Sequence, residues 1–407
     1  MNNRQNGKRP RRLLACVGHY PSPYKPYYDT QFAEFLRAGY ELQIVAAPAL
    51  DTTVNEKVVA AGLLQRMSYY PIDGRSGGFR SAATVLASPI ASARFLTQVR
   101  SPSLRRAALD LFRLHSLPAF EPDAILVHEL GVALRFPWLR EWFRNKPVAL
   151  YYHGGEVASI EPHEDSLVRA AFRSFDVVFT NTEFSRQHAI GRGCPPERTR
   201  ILPVGFDLDD YVPATPRRDR PDGTLRLLSA GRMSEEKGFD YALEALRLLV
   251  ASGRTNVLYS FTADGYVRPR LEEFVKQHGL ERHVRFLGTL TTAEVSAAMA
   301  ETDALVLSSV TVGNWAENQA CAVQEAMLMK SVVVTTQTGG VPESIAPEMA
   351  PFSVPERDAA ALARALMAVY DLNDTEVASL GERGRAFVTE RYDIRRLNEQ
   401  MMAVLCA

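Results

Sequence analysis

The chain has 407 residues, of which 46% are hydrophobic and 23% charged, so it is long enough to form two hydrophobic cores. Its 47 Lys and Arg residues balance 47 Asp and Glu residues, which argues against a polyanionic partner such as a nucleic acid. Residues 1–205 nevertheless carry 26 basic against 18 acidic side chains, while residues 206–407 carry 21 against 29. This charge asymmetry suggests two domains with different partners.

The cysteines and the N-terminus limit the class of protein further. Four scattered cysteines without a C-x-x-C spacing indicate neither a disulfide framework nor a zinc site. The basic start is followed only by the short apolar run LLACV, which we interpret as a first buried strand and not as a signal peptide. No apolar run approaches the roughly 18 residues that span a bilayer. We therefore expect a cytoplasmic protein.

Short apolar runs typical of buried strands alternate with amphipathic helical stretches along the chain. In chain order the runs are RLLACVG, LQIVAAP, AILVHE, PVALYYHG, DVVFTN, RLLSAGR, NVLYSFTADG, HVRFLG, ALVLSS and SVVVTT. The stretches between them, such as YDTQFAEFLRAG, have apolar residues at helical spacing and end at glycine. Strands that are apolar on both faces and joined by helices predict an α/β fold with parallel, doubly wound sheets.

The series of strands restarts after PVGFDLDDYVPATPRRDRPDGT, a connection rich in Pro and Asp. We predict an N-terminal domain over 1–205, a C-terminal domain over 206–385, and a C-terminal helix over 386–407 that returns toward the N-terminal domain. Ligands of doubly wound sheets bind at the carboxyl ends of the strands. Two such domains side by side therefore predict an active site in the cleft between them.

A turn with two cations, SAGRMSEEKGF, follows a predicted strand and opens a helix. It places Gly231, Arg232 and Lys237 beside a helix N-terminus, which makes a site for a dianion such as a diphosphate. The turn lacks both the Walker A spacing and G-x-G-x-x-G, so it does not favour NAD chemistry. The alternative is a solvated loop.

Two carboxylates, Glu317 and Glu325, lie around the predicted start of a further helix near Gln319. Glu325, inside the helix, could accept hydrogen bonds from two ribose hydroxyls, while backbone N–H groups between Asn318 and Ala320 face a phosphate. Alternatively, Glu317 caps the helix and Glu325 is an exposed helix residue. The pair could also be the two carboxylates of a glycoside hydrolase.

Several motifs in the right order carry a resemblance to a known family. GRMSEEKG, the Glu317-x7-Glu325 spacing, TGGVPE and ILPVGFDLDDYVP together resemble the retaining glycosyltransferases of family 4, over roughly residues 200–345. That family has the GT-B fold, two Rossmann-like domains facing each other across a cleft. The resemblance implies an enzyme that moves a sugar from a nucleotide diphosphate, UDP slightly preferred over GDP, to a hydroxyl of a glycan, lipid-linked or small-molecule acceptor.

The resemblance also implies roles for individual residues. Arg232 and Lys237 would stabilise charge on the leaving diphosphate, and a donor phosphate oxygen would take the proton of the acceptor. Glu317 and His153, which ends the run LYYH, would face the donor sugar. The implied donor-binding residues are Gly231, Asn318, Gln319, Ala320, Glu325, Phe286 and Leu287, the last two bordering the nucleobase. The chain departs from the family at Asn318-Gln319-Ala320, where Gly-Phe-Gly is usual, so donor-sugar preference does not transfer from relatives.

Of two further loops, we assign the first to the predicted site and interpret the second as a linker. Tyr24, Lys25 and Tyr27 in GHYPSPYKPYYDTQ could line an acceptor sugar, or could belong to a rigid loop bounded by prolines. The DLD sequence at 207–209 mimics the D-x-D of metal-dependent transferases. Because it lies in the connection between the domains, we predict no metal and no cofactor.

The segment 66–113 is strongly basic, with eight arginines against two aspartates. The arginines are Arg66, Arg75, Arg80, Arg94, Arg100, Arg105, Arg106 and Arg113. Mixed with apolar residues, they could form a face for the inner membrane surface or a lipid acceptor, or a solvated basic face.

Three other functions remain open at this point. A glycoside hydrolase would need no cationic diphosphate site, whereas an epimerase with the GT-B fold would convert the donor without an acceptor. A binding protein without catalytic activity would hold the nucleotide-sugar tightly and show no turnover.

Overall fold

A computed structural model describes residues 11–22, 25–50, 54–72, 89–99, 103–154, 165–213 and 223–406. The chain divides into two compact units. The first comprises Met1–Asn181, Arg186–Gly205 and Ile394–Ala407, and the second comprises Thr182–Ser185 and Phe206–Asp393. The change at 205/206 coincides with the start of the connection that contains the DLD sequence.

A parallel sheet forms the centre of the first unit. Its strands are β1 (Arg12–His19), β2 (Glu41–Ala47), β3 (Met67–Tyr69), β4 (Ala124–His128), β5 (Val148–Tyr152), β6 (Val177–Thr180) and β7 (Thr199–Ile201). The strand order is β3-β2-β1-β4-β5-β6-β7, and every pairing is parallel. All residues of β4 and β5 are buried because helices cover both faces of the sheet.

The second unit has a parallel sheet of the same kind. Its strands are β8 (Leu225–Ala230), β9 (Val257–Thr262), β10 (Val284–Gly288), β11 (Ala304–Leu307), β12 (Val332–Thr336) and β13 (Ser353–Val354). The order is β10-β9-β8-β11-β12-β13, again with every pairing parallel. In both units the order reverses direction beside the first strand, so the predicted doubly wound α/β class is confirmed.

Helices connect the strands in both units. In chain order the described α-helices are α1 (Pro26–Arg37), α2 (Glu56–Ala60), α3 (Pro89–Gln98), α4 (Leu104–His115), α5 (Leu130–Arg135), α6 (Leu139–Trp142), α7 (Asp165–Arg173), α8 (Glu183–Gly191), α9 (Phe239–Ala251), α10 (Arg268–Gln277), α11 (Thr292–Ala300), α12 (Cys321–Leu328), α13 (Ala359–Asp371), α14 (Asp374–Arg391) and α15 (Ile394–Leu405). Helix α9 is amphipathic. Its apolar residues Leu243, Leu246 and Leu249 recur at helical spacing, so that one face of the helix packs into the core.

The C-terminal helices divide differently from the prediction. The change of unit lies at 393/394 and not at 385/386, because α14 runs without a break through residue 385. Two glycines allow this helix to pack closely: a Cβ at Gly381 would lie 2.3 Å from the Lys330 carbonyl oxygen, and one at Gly384 would lie 2.7 Å from Met349. Helix α15 then belongs to the first unit, where Leu397 and Met401 enter the core that β1 and β2 also line.

Candidate functional site

The cationic turn in the second unit lies where β8 ends and α9 begins. Gly231 follows β8 with a φ of 142°, and a short 3-10 helix, Glu235–Lys237, leads to Gly238 with a φ of 61°. A Cβ at Gly238 would lie 2.0 Å from the Ser308 carbonyl oxygen. The positive φ and this close approach together require glycine. The turn is therefore fixed against the carboxyl end of β11.

Lys237 and Glu317, predicted to act on the same donor, form an ion pair. The Lys237 Nζ donates to the Glu317 Oε2 over 2.8 Å, and the Ser309 hydroxyl donates to the same oxygen, also over 2.8 Å. The ammonium lies 5.2 Å from the ring centroid of Trp315, a distance suited to a cation–π contact. The lysine and glutamate side chains are 20% and 12% exposed. The pair thus lies largely out of solvent but remains accessible at one side.

The TGGVPE motif holds the backbone of Glu317. The Gly340 N–H donates to the Glu317 carbonyl oxygen over 2.9 Å. Gly339 has a φ of 53°, and a Cβ there would lie 1.9 Å from the same oxygen. Helix α12 begins at Cys321, with Ala320 at the N-cap and no side-chain cap. The helix therefore begins later than the predicted start near Gln319, and Glu317 is not its cap because no side chain caps it.

The three residues that replace Gly-Phe-Gly lie between Glu317 and α12. Asn318 accepts a hydrogen bond from the Thr182 hydroxyl through its Oδ1 over 2.5 Å. Gln319 and Ala320 are buried. The Ala320 carbonyl accepts from the Val323 N–H, which is the first turn of the helix. A polar side chain is thus accommodated here by a specific partner.

Glu325 lies on α12, and a phenol binds its carboxylate. The Tyr211 hydroxyl donates to the Glu325 Oε1 over 3.1 Å. Burial raises the pKa of Glu325, and the hydrogen bond from Tyr211 lowers it. The carboxylate is half-buried, so the exposed-residue reading of Glu325 does not hold. Tyr211 follows the short 3-10 helix Leu208–Asp210 in the connection, and no sequence pattern linked it to Glu325.

The electrostatics of Cys321 join these groups into one site. Burial raises the pKa of the Cys321 thiol, and the charges of Glu325 and Glu317 raise it further, whereas Lys237 lowers it. All three charged side chains are therefore within electrostatic range of Cys321, the first residue of α12. The ion pair of Lys237 and Glu317 precedes this helix, and Glu325 lies on it.

Arg232, Phe286 and Leu287 were also predicted to bind the donor, and they lie in the same unit. The Arg232 side chain is exposed in the turn after β8. On β10, the Phe286 ring stacks on Phe261 with centroids 5.5 Å apart, while Leu287 is 40% exposed. The pairing of β10 with β9 shifts register between Phe286 and Gly288. The role of Phe286 and Leu287 beside the nucleobase stays a prediction.

His153, in the first unit, directly follows β5 and packs among aromatic rings. Its Nε2 lies 3.2 Å from the Nδ1 of His128, and the two imidazoles stack at an angle of 7°. Burial lowers the pKa of His153 to about 3, nearby Lys25 lowers it as well, and a hydrogen bond with Asn181 raises it. The pKa of His128 is lowered mainly by burial. Both imidazoles are therefore neutral at ordinary pH.

The predicted acceptor loop is partly helical. Tyr24 lies outside the described residues, and α1 already begins at Pro26. Tyr27 is half-buried, with its ring centroid 5.2 Å from that of His153. The ammonium of Lys25 donates to the Glu129 carboxylate. Lys25 and Tyr27 thus lie beside the carboxyl ends of β4 and β5, where an acceptor role stays a prediction.

Glu129 is a residue that the sequence analysis missed. It directly follows β4 with a φ of 77°, a conformation that a non-glycine residue adopts at a cost. Its carboxylate accepts from the Tyr28 hydroxyl over 2.8 Å as well as from Lys25. A Cβ at Gly18 would lie 2.5 Å from the Glu129 Oε2, so glycine leaves room for this carboxylate. The only available signal was its position directly after a buried strand.

The basic segment contains arginines that are engaged internally. Arg113 is 3% exposed and donates to the carbonyls of Pro71, Ile72 and Arg135. Arg106 donates to the Asp110 carboxylate over 3.0 Å. These two arginines therefore contribute to packing and not to an open basic face. Arg75, Arg80 and Arg100 lie outside the described residues.

The described residues contain neither a metal-binding cluster nor a membrane-spanning helix. Among the described residues, no group of three or more His, Cys, Asp or Glu side chains could hold a metal ion. In the DLD sequence, the Asp207 carboxylate accepts from the Asp209 N–H over 3.3 Å and so caps a turn. None of the described helices is both long and apolar enough to cross a bilayer.

Comparison with solved structures identifies the fold. The crystal structure of HepE of Anabaena in complex with UDP and glucose superposes with a TM-score of 0.68 at 16% identity. The alignment covers 97% of this chain and 99% of HepE. The two doubly wound units and the similarity to HepE define the GT-B fold of glycosyltransferases.

Comparison of sequences identifies the family. The family model "Glycosyltransferase Family 4" matches residues 31–210, and "Glycosyl transferases group 1" matches residues 224–371. WcaL of Escherichia coli strain K12, which is named for colanic acid biosynthesis, is 30% identical over 73% of this chain and 70% of its own length. AmsK of Erwinia amylovora, named for amylovoran biosynthesis, is 24% identical over 97% of this chain and 99% of its own. The chain belongs to the family 4 glycosyltransferases and is an enzyme of that class.

Proposed function

We propose that the protein transfers a sugar from a nucleoside diphosphate to a hydroxyl of an acceptor, with retention of the anomeric configuration and without a metal ion. The observation that carries this proposal is the ion pair of Lys237 and Glu317 at the carboxyl end of a parallel sheet. A site of that kind suits a substrate with both an anionic leaving group and hydroxyl groups.

Lys237 is the residue on which the departure of the diphosphate depends. An ammonium has three N–H donors, and Glu317 takes one of them. The remaining donors can bind diphosphate oxygens on which charge grows as the glycosidic bond breaks. Glu317 and Trp315 already hold the ammonium, and the Ser309 hydroxyl holds the Glu317 carboxylate. Little reorganisation is therefore needed during the reaction. Arg232, exposed in the same turn, adds a second cation.

The two glutamates hold hydroxyl groups in this proposal and do not act as a hydrolytic pair. The Glu317 Oε2 already accepts hydrogen bonds from the Lys237 ammonium and the Ser309 hydroxyl, so this carboxylate serves as a hydrogen-bond acceptor. Glu325 is hydrogen-bonded to Tyr211 and suits the ribose. The acceptor proton passes to a donor phosphate oxygen, so that no protein nucleophile is required.

The nature of the two substrates rests on the relatives. HepE crystallised with UDP and glucose. This supports testing UDP-sugars before GDP-sugars as donors. WcaL and AmsK are named for the biosynthesis of colanic acid and amylovoran. We therefore propose a glycan, free or lipid-linked, in preference to a small molecule as the acceptor.

A donor panel followed by a turnover assay tests the function. Thermal shifts with UDP-, GDP- and ADP-sugars select the donor, since a ligand at 100 times its Kd adds about 2.7 kcal/mol of stability. With that donor, release of nucleoside diphosphate should depend on a glycan acceptor, and NMR of the product should show the donor's anomeric configuration. Release without any acceptor, or an inverted product, would contradict the proposal. Conversion of the donor sugar alone would favour an epimerase.

Contact with a membrane is a separate part of the proposal. Ile90 and Leu104, on α3 and α4, are 84% and 91% exposed, and Arg94 and Arg105 are exposed beside them. Apolar and basic side chains together suit an anionic lipid surface. In a sedimentation assay, the protein should pellet with anionic vesicles that contain phosphatidylserine. The double variant Ile90→Ser with Leu104→Ser should stay in the supernatant. Equal binding to neutral vesicles would argue against this contact.

A further inference from the structure

The connection between the units supplies a side chain to the donor site. Tyr211 lies one residue after the 3-10 helix Leu208–Asp210, and its ring packs edge-on against Phe206 with centroids 5.9 Å apart. Its hydroxyl reaches across to Glu325 on α12. Contact between these two residues, far apart in sequence, gives the connection a direct role at the carboxylate that the proposed function assigns to the ribose.

The backbone of Tyr211 is fixed to the same helix that carries Glu325. The Arg385 guanidinium donates through Nη1 to the Tyr211 carbonyl over 3.0 Å and also to the Leu328 carbonyl. Leu328 is the last residue of α12 and lies about one helical turn beyond Glu325. Arg385 therefore ties the backbone of Tyr211 to the end of the helix that carries Glu325.

The hydrogen bond from Tyr211 occupies one of the two oxygens of the Glu325 carboxylate. Burial and the charge of Glu325 raise the pKa of the Tyr211 phenol, so the phenol remains a donor. It occupies Oε1 alone; among the described residues, nothing bonds to Oε2. A carboxylate held in this way presents one oxygen entirely, and one lone pair of the other, to ligand hydroxyls.

We propose that Tyr211 is the positioning residue of the donor site, orienting the Glu325 carboxylate so that it distinguishes a ribose diol from a deoxyribose. This inference rests on the proposed function, because it takes Glu325 as the ribose-binding residue. Tyr211 itself acts through Glu325 and needs no contact with the sugar. Removal of its hydroxyl should therefore weaken the ribose contact without affecting the diphosphate.

Calorimetric titration of UDP, 2′-deoxy-UDP and 3′-deoxy-UDP into the full chain tests this inference. If the donor panel selects another base, the matching nucleotides are used. Tyr211→Phe keeps the ring against Phe206 and should lower the affinity for UDP by about three- to tenfold. At least one deoxy analogue should bind both proteins equally. In turnover, KM for the donor should rise by a similar factor while kcat changes little, since the contact is present in the ground state.

Two further variants make the outcome decisive. In the Glu325→Gln background, Tyr211→Phe should have no additional effect on affinity, as expected for two residues that act as one unit. Arg385→Gln, which loosens the backbone of Tyr211, should reproduce the loss of ribose discrimination and serves if Tyr211→Phe fails to fold. Tyr20→Phe is the matched control, because it removes a phenol-to-carboxylate hydrogen bond of 2.8 Å to Asp29 in the first unit. It should leave nucleotide affinity unchanged.

The possible results separate the inference from the function on which it rests. If Glu325→Gln weakens UDP binding but Tyr211→Phe changes all three nucleotides equally or not at all, the positioning role is wrong and the donor site stands. If Glu325→Gln itself leaves every affinity unchanged, the assignment of the ribose to Glu325 is wrong.

Discussion

Replacement of Lys237 by Met tests the diphosphate site, because it removes the charge and keeps most of the volume. In the structure this change deletes the 2.8 Å bond to Glu317 and leaves a carboxylate that is only 12% exposed with the Ser309 hydroxyl as its remaining described donor. Hydrogen bonds to charged groups contribute about 1.5–3 kcal/mol. Because the pair is partly accessible, we expect the free energy of unfolding to fall by about 1–3 kcal/mol.

Loss of transition-state stabilisation comes in addition. A cation directed at developing charge accounts for about 100-fold or more in kcat/KM, which is about 2.7 kcal/mol. The double variant Lys237→Met with Glu317→Gln separates the two effects, because it removes both charges. It should recover most of the stability, measured by urea denaturation, but none of the activity.

Lys276→Met, on the exposed surface of α10, is the control and should change neither quantity. A Lys237→Met variant that keeps kcat/KM within about threefold of the wild type would refute the diphosphate role of Lys237. A double variant that regains activity together with stability would refute it as well, since Lys237 would then serve only to neutralise Glu317.

Four further predictions concern Arg232, Glu325, the absence of a metal requirement and His153. Arg232→Ala should lower kcat/KM by at least about 100-fold, and near-normal turnover would remove it from the site. Glu325→Gln should lower nucleotide affinity by at least about tenfold while Glu273→Gln on α10 leaves it unchanged; equal affinities for ribo- and deoxyribonucleotides in the wild type would contradict this. Activity should persist in excess EDTA, and a complete loss that Mn²⁺ or Mg²⁺ restores would falsify metal independence. The folded state depresses the pKa of His153 to about 3. As pH falls below about 6.5, the unfolded chain therefore binds a proton that the folded chain does not. Protonation of this residue should lower the free energy of unfolding by about 1.4 kcal/mol at pH 5.5. His153→Gln should be less sensitive to acid than the wild type by that amount, and parallel pH profiles of unfolding would refute the assignment.

The long apolar strands were predictable and the short ones were not. Ten apolar runs correspond to β1, β2, β4, β5, β6 and to β8–β12, because buried strands of a parallel sheet are apolar on both faces. No apolar run predicted β3, β7 or β13, which have three, three and two residues and lie at the sheet edges. So short a strand carries no period, and its pairing depends on the neighbouring strand.

Contacts within one motif were predictable, whereas contacts between motifs required the fold. Glu317 was identified from its motif, and its partner Lys237 from another, but their bond follows from the packing of the turn on β11. Tyr211 and Glu129 each contact residues about a hundred positions away, at Glu325 and Lys25. The basic composition of the segment 66–113 is typical of a solvated face, but Arg113 within it is buried. Local sequence cannot reveal such partners.

The close approach of Gly238 and Gly339 to backbone carbonyls restricts how the donor preference of this enzyme could be redesigned. Any side chain at either position would meet an oxygen within 2.0 Å, and a carbonyl cannot move aside as a flexible side chain can. A library that randomises the whole site would therefore lose most of its members at these two positions. Variation is better confined to Trp315 and Asn318, whose side chains are half-buried and flank Glu317 on a backbone that the glycines keep constant.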